Sequence, residues 1–173
     1  TVTSNKYTLA AVPGVTTVNT PTISTLNVAL NTNSNSVATE YLIHETGTGL
    51  YVQADNTLGA ATYWQTNPGT VTVTGLSKNT SYEFETKARN GDALETAYGT
   101  ASSAYTLVSA SSEPTVDGAT TTSLNVTINQ GTNPVNTTYK IYESTTDQYV
   151  QADGTLGAVA AWQTGSVWGT VSG

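Results

Sequence analysis

Short runs of alternating apolar and polar residues, separated by turn residues, extend along the chain. Leu26, Val28 and Leu30 alternate with polar neighbours, and Tyr41 and Ile43 continue the same period of two. A period of two predicts strands that bury one face. No helical run interrupts them, so the pattern predicts an all-β chain of short antiparallel strands.

The clearest strand is the segment 81–90, SYEFETKARN. One face carries Tyr82, Phe84, Thr86 and Ala88, and the intervening residues are all charged. This alternation predicts one face in the core and one in water. The Asn90-Gly91 pair that follows predicts a tight hairpin turn with positive φ angles, after which the segment 98–107 pairs antiparallel with this strand.

A long internal repeat organises the sequence. The phrase YVQADNTLG begins at Tyr51 and recurs as YVQADGTLG at Tyr149, 98 positions later. The same shift superimposes TLNVALN on SLNVTIN and YWQT on AWQT without a gap. Self-similarity at a fixed period indicates an array of like units, and units of this length can each bury a core.

The shift divides the chain into three segments. Residues 1–10 match the end of the first unit and are predicted to be the final-strand segment of a preceding repeat, or a donated strand. Residues 11–107 form a complete domain, and residues 108–173 the front half of a second, incomplete one. Because a sandwich lacking its last strands leaves a sheet edge open, neighbouring repeats or like subunits are the expected partners.

The segment 75–92, GLSKNTSYEFETKARNGD, resembles the fibronectin type III family. The resemblance implies tandem immunoglobulin-like antiparallel β-sandwiches, with Leu76 packed beneath a tyrosine corner and the Tyr82 hydroxyl bonded to upstream backbone. The Trp that this family carries in its second strand is absent. Trp64 and Trp162 are predicted to supply the missing core volume, and the long segment 51–66 predicts an added hairpin or ordered loop.

The predicted core comprises the apolar positions of both units. They are Leu26, Val28, Leu30, Tyr41, Ile43, Trp64 and Phe84 in the first, and Leu124, Val126, Ile128, Tyr139, Ile141 and Trp162 in the second.

Charge and composition exclude several classes of function. Five Lys and Arg residues against twelve Asp and Glu residues give a formal net charge of −7, so no basic stripe is available for nucleic acid. No apolar run approaches the roughly 18 residues of a membrane span, which argues against membrane insertion. The absence of cysteine removes disulfides and thiolate sites and is compatible with either a secreted or a cytosolic protein. The acidic, Thr- and Asn-rich composition predicts a secreted microbial protein, extracellular or at a cell surface.

Candidate catalytic groups are few. His44 lies beside Glu45, but its counterpart is Tyr142, which favours an outward aromatic position over acid-base chemistry. Glu45 and Glu143 occupy equivalent places in separate units, too far apart to flank one bond. We therefore expect no enzyme activity, cofactor or metal.

Other residues suggest ligands. Asp55 and Asp153 could contribute to a calcium site, but one carboxylate in each phrase favours a capped turn. Tyr51, Tyr63 and Trp64 could stack on a sugar, which makes carbohydrate or a cell-surface polymer a candidate partner, although core filling is the competing role. The sequons predict glycan acceptors at Asn79, Asn125 and Asn136.

These observations predict a non-catalytic structural, spacer or adhesive repeat array of an extracellular or cell-surface protein. Two alternatives stay open. The chain could be the subunit of an extracellular filament assembled head-to-tail by β-strand addition, or an accessory module of a secreted polysaccharide-degrading enzyme.

Overall fold

A computed structural model describes residues 6–172, with side chains as far as residue 169. The chain folds as two compact units: Thr1–Leu107, termed unit 1, and Val108–Gly173, termed unit 2. Antiparallel strands provide nearly all the regular structure of the described residues, which confirms the predicted all-β class.

The described part of unit 1 contains nine strands in two antiparallel sheets. They are β1 (Thr17–Asn19), β2 (Leu26–Ala29), β3 (Glu40–Glu45), β4 (Leu50–Val52), β5 (Leu58–Gly59), β6 (Gln65–Thr66), β7 (Thr70–Val73), β8 (Ser81–Arg89) and β9 (Ser102–Tyr105). One sheet has the order β1-β2-β7 and the other β5-β4-β3-β8-β9, with β6 pairing with the start of β3. The segment 51–66 supplies β5 and β6, the ordered addition that its length predicts.

One apolar core lies between these sheets. Its buried members are Val18, Leu26, Val28, Ile43, Val52, Val71, Val73, Leu76, Tyr82 and Phe84. The register of β3 against β8 runs from Glu40 opposite Arg89 to Glu45 opposite Phe84. It places the Phe84 ring, fully buried, at the centre of the core, where burial of such a side chain contributes about 1.5–3 kcal/mol.

A tyrosine corner closes unit 1 between β7 and β8. The Tyr82 hydroxyl accepts a hydrogen bond of 2.9 Å from the Ser77 backbone N–H, five residues upstream. Leu76 is buried in the core beside Tyr82. The aromatic ring of Tyr82 therefore lies in apolar surroundings, while its hydroxyl accepts the hydrogen bond of a backbone amide in the turn.

The turn after β8 differs from the sequence prediction. Within residues 90–94 the positive φ belongs to Ala93, at 59°, and not to the Asn90-Gly91 pair. Asn90 is buried instead, and its side-chain oxygen accepts from the N–H groups of Asp92 and Leu94. Because the Asn90 side chain bonds the loop that follows it, the chain reverses direction here without a two-residue turn. The strand that follows is correspondingly shorter than predicted and covers only β9.

The described part of unit 2 has eight short strands and one helical turn. They are β10 (Thr115–Asp117), β11 (Asn125–Thr127), β12 (Thr138–Tyr139), β13 (Tyr142–Glu143), β14 (Gln148–Val150), β15 (Leu156–Gly157), β16 (Gln163–Thr164), α1 (Gly165–Trp168) and β17 (Thr170–Ser172). The strands form the sheets β10-β11-β17 and β13-β14-β15 and the pair β12-β16. No counterpart of β8 or β9 occurs among the described residues.

A two-residue offset separates the last strands of the two units. Val28 lies opposite Val71 in unit 1, and Val126, 98 positions after Val28, lies opposite Val171, 100 positions after Val71. The turn α1 accommodates the two additional residues and buries Trp168, whose indole N–H donates to the Tyr139 carbonyl at 2.8 Å.

The predicted core of unit 1 is buried apart from two residues. Leu30 packs half-buried against it. Trp64 is half-buried too, but its ring stacks on the Arg89 guanidinium, 4.4 Å from the ring centroid, on the solvent side of the sheet. Its prediction as a core residue is wrong, because β6 holds it over the charged side of β8.

The predicted core of unit 2 is less complete. Tyr139 is buried, Ile128 and Ile141 pack partly buried against it, and Val126 is half-buried. Leu124 is 48% exposed and Trp162 is 59% exposed, so both core predictions are wrong. The equivalent of Leu124 in unit 1, Leu26, is buried in one cluster with Tyr82 and Phe84 of β8, and the described residues of unit 2 contain no such strand. The equivalent of Trp162, Trp64, lies outside the core in unit 1 as well.

The N-terminal segment lies on unit 1. Residues 1–5 are outside the described residues, and residues 6–10 form no strand. The Tyr7 N–H donates to the Asp92 carboxylate at 3.1 Å, and the Asn90 side chain donates to the Thr8 carbonyl at 3.0 Å. The assignment of residues 1–10 to the last strand of a neighbouring unit stays a prediction.

Replacement of Tyr82 by Phe removes the hydrogen bond to Ser77 without changing the ring. We expect a loss of about 1–2 kcal/mol in the free energy of unfolding, because the Ser77 amide loses its acceptor in a partly buried site. Urea denaturation measures this loss. Tyr105→Phe is the control, since Tyr105 is 62% exposed, and an equal effect of both substitutions would contradict the corner.

Candidate interaction surface

The solvent side of the larger sheet of unit 1, termed the outer face, combines charge and aromatic rings. Alternation along β8 points Glu83, Glu85, Lys87 and Arg89 away from the core. From β3 the outer face receives Glu40, Leu42 and His44. Leu42 is fully buried although it lies on this side, so the surrounding side chains form a packed layer over the sheet.

Rings and cations alternate across this outer face. Arg89 lies 4.4 Å from the Trp64 ring centroid, and Lys87 lies 5.7 Å from the same ring and 5.1 Å from that of Tyr98. His44 continues the row, with ring centroids 5.4 Å from Tyr98 and 5.0 Å from Tyr51. Such contacts stabilise by about 0.5–1 kcal/mol each at exposed sites. They hold the rings in fixed positions.

Arg89, Lys87 and the imidazole of His44 each also contact a carboxylate. His44 Nδ1 lies 2.9 Å from Glu85, Arg89 donates to Glu40 at 2.6 Å, and Lys87 pairs with Glu95. His44 thus contacts Glu85 across the sheet and not its chain neighbour Glu45, which points into the protein. Its hydrogen bond is therefore made within the packed layer of the outer face.

Tyr98 closes the row beside Tyr51. Burial raises the pKa of Tyr98 to about 12, and the neighbouring Tyr51 and carboxylates add to the effect. The phenol is therefore neutral across the physiological range and acts as a hydrogen-bonding and stacking group.

Unit 2 has a smaller and more exposed row of aromatic rings with one cation. Lys140 lies 4.9 Å from the Tyr149 ring and 5.4 Å from the Trp162 ring. Tyr142 contacts Tyr149 at 5.3 Å between centroids and donates its hydroxyl to Asp147 at 2.8 Å. Trp162 is 59% exposed, so an aromatic face is open to solvent here. Tyr63, the third predicted sugar-stacking residue, is also exposed, on unit 1.

The repeated phrase YVQAD is a self-contained turn. In unit 1 Asp55 accepts from the Thr57 N–H at 3.0 Å and from its hydroxyl at 2.7 Å, and Asp153 and Thr155 repeat both bonds at the same distances. The single exchange in the phrase lies at the left-handed residue, with φ of 63° at Asn56 and 84° at Gly154. Asn and Gly tolerate this conformation best, so the exchange preserves the turn.

These hydrogen bonds lower the pKa of Asp55 and of Asp153, chiefly through the hydroxyl of the Thr two residues on. Each carboxylate serves its own turn. No three His, Cys, Asp or Glu side chains converge on a metal-sized site in the described part of the chain. Within residues 6–172, no helix has the length and apolar character needed to cross a membrane.

Glu45 bonds the hairpin that follows β3, and Glu143 bonds the equivalent hairpin that follows β13. Burial raises the pKa of Glu45, but hydrogen bonds from Gly47, Thr48 and Glu83 outweigh it and leave a lowered value. Glu143 accepts from the N–H groups of Thr145 and Thr146, each at 2.8 Å. The Thr146 hydroxyl and these amides lower the pKa of Glu143 to about 2.

The predicted glycan acceptors occupy three different environments. Asn79 is half-buried in the turn at the tyrosine corner, with φ of 48°, and Asn125 is half-buried in β11. Asn136 is exposed in the loop before β12. Asn136 therefore has the accessibility that glycan attachment needs.

Three structural residues were not predicted from the sequence. Trp168 follows a two-residue offset that appears only when GTVSG is aligned with GTVTV, 100 positions apart. Asn133 and its counterpart Asn35 bond the segment that enters each unit, and the 98-residue shift pairs them, but Asn in a loop carries no distinctive signal.

Comparisons with known proteins identify the fold. No protein-family model matches the chain, and no curated protein matches it in sequence. A two-domain fibronectin type III segment of chicken tenascin covers 93% of this chain and aligns over 80% of its own length, at 16% identity and a TM-score of 0.52. The chain has the fibronectin type III fold.

Two further structures align with about one unit. The fibronectin type III domain of human fibronectin type III domain containing protein 3 covers 61% of this chain and 93% of its own, at 15% identity and a TM-score of 0.45. A family 28 exopolygalacturonase of Yersinia enterocolitica covers 56% of this chain and 20% of its own, at 19% identity and a TM-score of 0.43. The fold assignment rests on the tenascin segment.

The lowered pKa of Glu143 generates a test of its hairpin. Because the folded value lies below the unfolded value of about 4.3, its stabilising contribution is present above that value and is lost as the pH falls towards 2. An NMR titration of the side-chain carboxyl should show a midpoint near 2, and Thr146→Val should raise it. Thr155→Val, which alters the Asp153 turn, should leave it unchanged. A midpoint near 4.3 in the unmodified chain is incompatible with the hairpin bonds.

Proposed function

We propose that the chain is a non-catalytic structural module from a repeat array of an extracellular or cell-surface protein, serving as a spacer. The observation that carries this proposal is a hydrogen-bonded clamp on the segment that enters each unit. A module that fixes its own entry segment makes an array stiffer than one with free linkers.

In unit 1 the clamp is formed by the Asn35 side chain. Its oxygen accepts from the Ala11 N–H at 2.7 Å, and its amide nitrogen donates to the Ala11 carbonyl at 2.8 Å. Asn33 adds a bond of 3.0 Å to the Val12 carbonyl. Both backbone groups of one residue are thus bound by a single amide, which fixes the direction in which the segment enters.

Unit 2 repeats this arrangement. Asn133 accepts from the Ser109 N–H at 2.8 Å and donates to the Ser109 carbonyl at 2.9 Å. Asn133 is 9% exposed, so little water competes for these bonds. The two clamps lie 98 positions apart, and both are formed within one unit. A periodic clamp of this kind supports a role that depends on unit-to-unit regularity.

The chemistry of the described residues agrees with a structural role. The histidine is bonded to Glu85, and the carboxylates of Asp55, Asp153 and Glu143 accept from threonine hydroxyls and amides within turns of their own units. The fold itself hosts many functions, so this use of the carboxylates within turns is a supporting observation only.

Adhesion to carbohydrate is a second candidate function. The exposed Trp162 ring, with Lys140 beside it and Tyr142 half-exposed on the same side, favours it. Aromatic faces suit the apolar faces of sugar rings, and neighbouring polar groups suit their hydroxyls. The accessory-module alternative shares this surface, since either role requires retention on a polysaccharide.

The clamp predicts a local loss of order in Asn133→Ala. We expect the Ser109 amide to exchange with solvent at least about tenfold faster, because loss of one bond of about 1.4 kcal/mol gives that factor. Hydrogen exchange followed by NMR measures the rate, and small-angle scattering should show a broader distribution of chain dimensions. Asn129→Ala is the control, since Asn129 bonds only the exposed loop at Gly131. Unchanged exchange at Ser109 would contradict the spacer proposal.

The adhesive candidate predicts that Trp162→Ala lowers retention on insoluble polysaccharide. The expected loss is about tenfold in affinity, equivalent to about 1.4 kcal/mol from one stacking contact. Sedimentation with cellulose, chitin and pectin particles measures it. Val159→Ala changes a neighbouring residue that is 77% exposed and should have no effect. If the unmodified chain stays in solution with all three polymers, carbohydrate adhesion is excluded for this set.

A further inference from the structure

Two tyrosines lie side by side on the two strands of one hairpin of unit 2. The register of β13 against β14 places Tyr142 directly opposite Tyr149. Their ring centroids are 5.3 Å apart, and the ring planes are inclined at 49°. Directly opposite side chains of an antiparallel pair lie on the same side of the sheet. The two phenol rings are therefore in contact on one side of this hairpin.

A carboxylate binds one of these phenols. The Tyr142 hydroxyl donates to Asp147 at 2.8 Å. This hydrogen bond raises the pKa of Tyr142, so the phenol keeps its proton across the physiological range. A phenol that loses an electron becomes strongly acidic and releases that proton at once. Asp147 is already in place as the proton acceptor, which favours removal of an electron from Tyr142.

Unit 1 shows that the hairpin does not need this bond. The counterparts of Tyr142 and Asp147, 98 positions earlier, are His44 and Gly49. Gly49 has a φ of 72°, and Asp147 has a φ of 57°. This left-handed conformation costs free energy for a residue other than glycine, and such strain is concentrated at functional sites. Unit 2 thus carries a carboxylate where the backbone favours glycine, and that carboxylate binds a tyrosine that unit 1 lacks.

Lys140 distinguishes Tyr142 from the aromatic rings beside it. The Lys140 ammonium lies 4.9 Å from the ring centroid of Tyr149 and 5.4 Å from that of Trp162. A cation over a ring is attracted by the electron density of the ring face. It therefore opposes removal of an electron from Tyr149 and Trp162. The first electron leaves Tyr142 more easily than either neighbour.

The composition of the chain directs oxidants towards phenols and indoles. The sequence contains no cysteine and no methionine, but it contains ten tyrosines and three tryptophans. Thiols and thioethers are the side chains that oxidants attack first in most proteins. A one-electron oxidant that meets this chain therefore acts on its aromatic side chains.

We propose that Tyr142 and Tyr149 are an oxidative cross-linking site, at which a one-electron oxidant joins the two rings as dityrosine. Each phenol loses one electron and one proton, and the proton of Tyr142 passes to Asp147. The two radicals form one bond between the ring carbons next to the hydroxyls. The hydrogens on those carbons then move to the oxygens, which restores both phenols. With a haem peroxidase as catalyst, one hydrogen peroxide takes up the two electrons and two protons and becomes two molecules of water.

The cross-link ties β13 to β14 covalently, as a disulfide does in chains that contain cysteine. The residues that form it are separate from the Asn133 clamp and from the exposed ring of Trp162. The spacer and adhesive proposals can therefore fail without affecting the cross-link, and the reverse also holds.

The test is incubation of the full chain with a haem peroxidase and hydrogen peroxide. We expect dityrosine fluorescence and a monomer whose mass is lower by two hydrogen atoms. After proteolytic cleavage at Glu143, tandem mass spectrometry should find the Tyr142 and Tyr149 fragments joined through their rings. The proposal is overturned by absence of dityrosine, by cross-links only between separate chains, or by cross-links confined to Tyr51 and Tyr98.

Substitution of single tyrosines tests the pairing. Tyr149→Phe should abolish the cross-link within the monomer. Tyr142→His restores the residue of unit 1 at this position and should abolish it as well. Tyr105→Phe is the matched control, since Tyr105 is 62% exposed and lies in unit 1, and it should leave the yield unchanged. Dityrosine within the monomer of the Tyr149→Phe variant would contradict the pairing.

Asp147→Asn tests the proton acceptor. Asparagine also tolerates the left-handed conformation and can accept the hydrogen bond, but it does not take up the proton. We expect cross-linking at pH 7 to be at least about tenfold slower, because a positioned base contributes that factor or more. The rate in the variant should recover as the pH rises towards about 10, where phenols ionise in water. An unchanged rate at pH 7 overturns the inference.

Discussion

The pairing of β3 with β8 is the constraint on which unit 1 depends. Its six-residue register fixes both sides of the sheet at once, because a strand has a side-chain period of two. One side places Tyr82 and Phe84 in the core, and the other lays charged residues beneath Trp64, Tyr98 and His44. A shift by one residue would exchange these sides, so the aromatic core and the salt-bridged outer face specify the same register together.

Comparison of the two units shows which positions the backbone conformation restricts and which positions vary in side chain. Backbone-determined positions keep their conformation through exchange: Asn56 and Gly154 both have positive φ, as do Gly49 and Asp147. The hydrogen-bonded turns and clamps recur with nearly the same distances. Positions opposite β8 are freer, as the replacement of Leu42 by Lys140 shows. The two units therefore differ less in their hydrogen-bonded turns than in the side chains of their sheets.

The interaction chemistry of the chain lies on sheet faces and edges rather than in an enclosed site. On unit 1 the outer face is a packed layer whose cations are neutralised by carboxylates, which leaves little charge to offer a partner. On unit 2 the rings are more exposed, and the Trp162 side chain is 59% exposed.

Four features of the protein follow from its sequence: the all-β class, the 98-residue repeat, the tyrosine-corner pattern and the capped turn of the YVQAD phrase. Each depends on residues close together in the chain, where alternation and turn preferences act directly. Three other outcomes emerge from the folded chain alone: Trp64 lies over Arg89 outside the core, Trp168 is buried in the core of unit 2, and Leu124 and Trp162 stay exposed. These outcomes depend on which strand covers which face, and that is set by pairing between segments distant in sequence, which local periodicity does not encode.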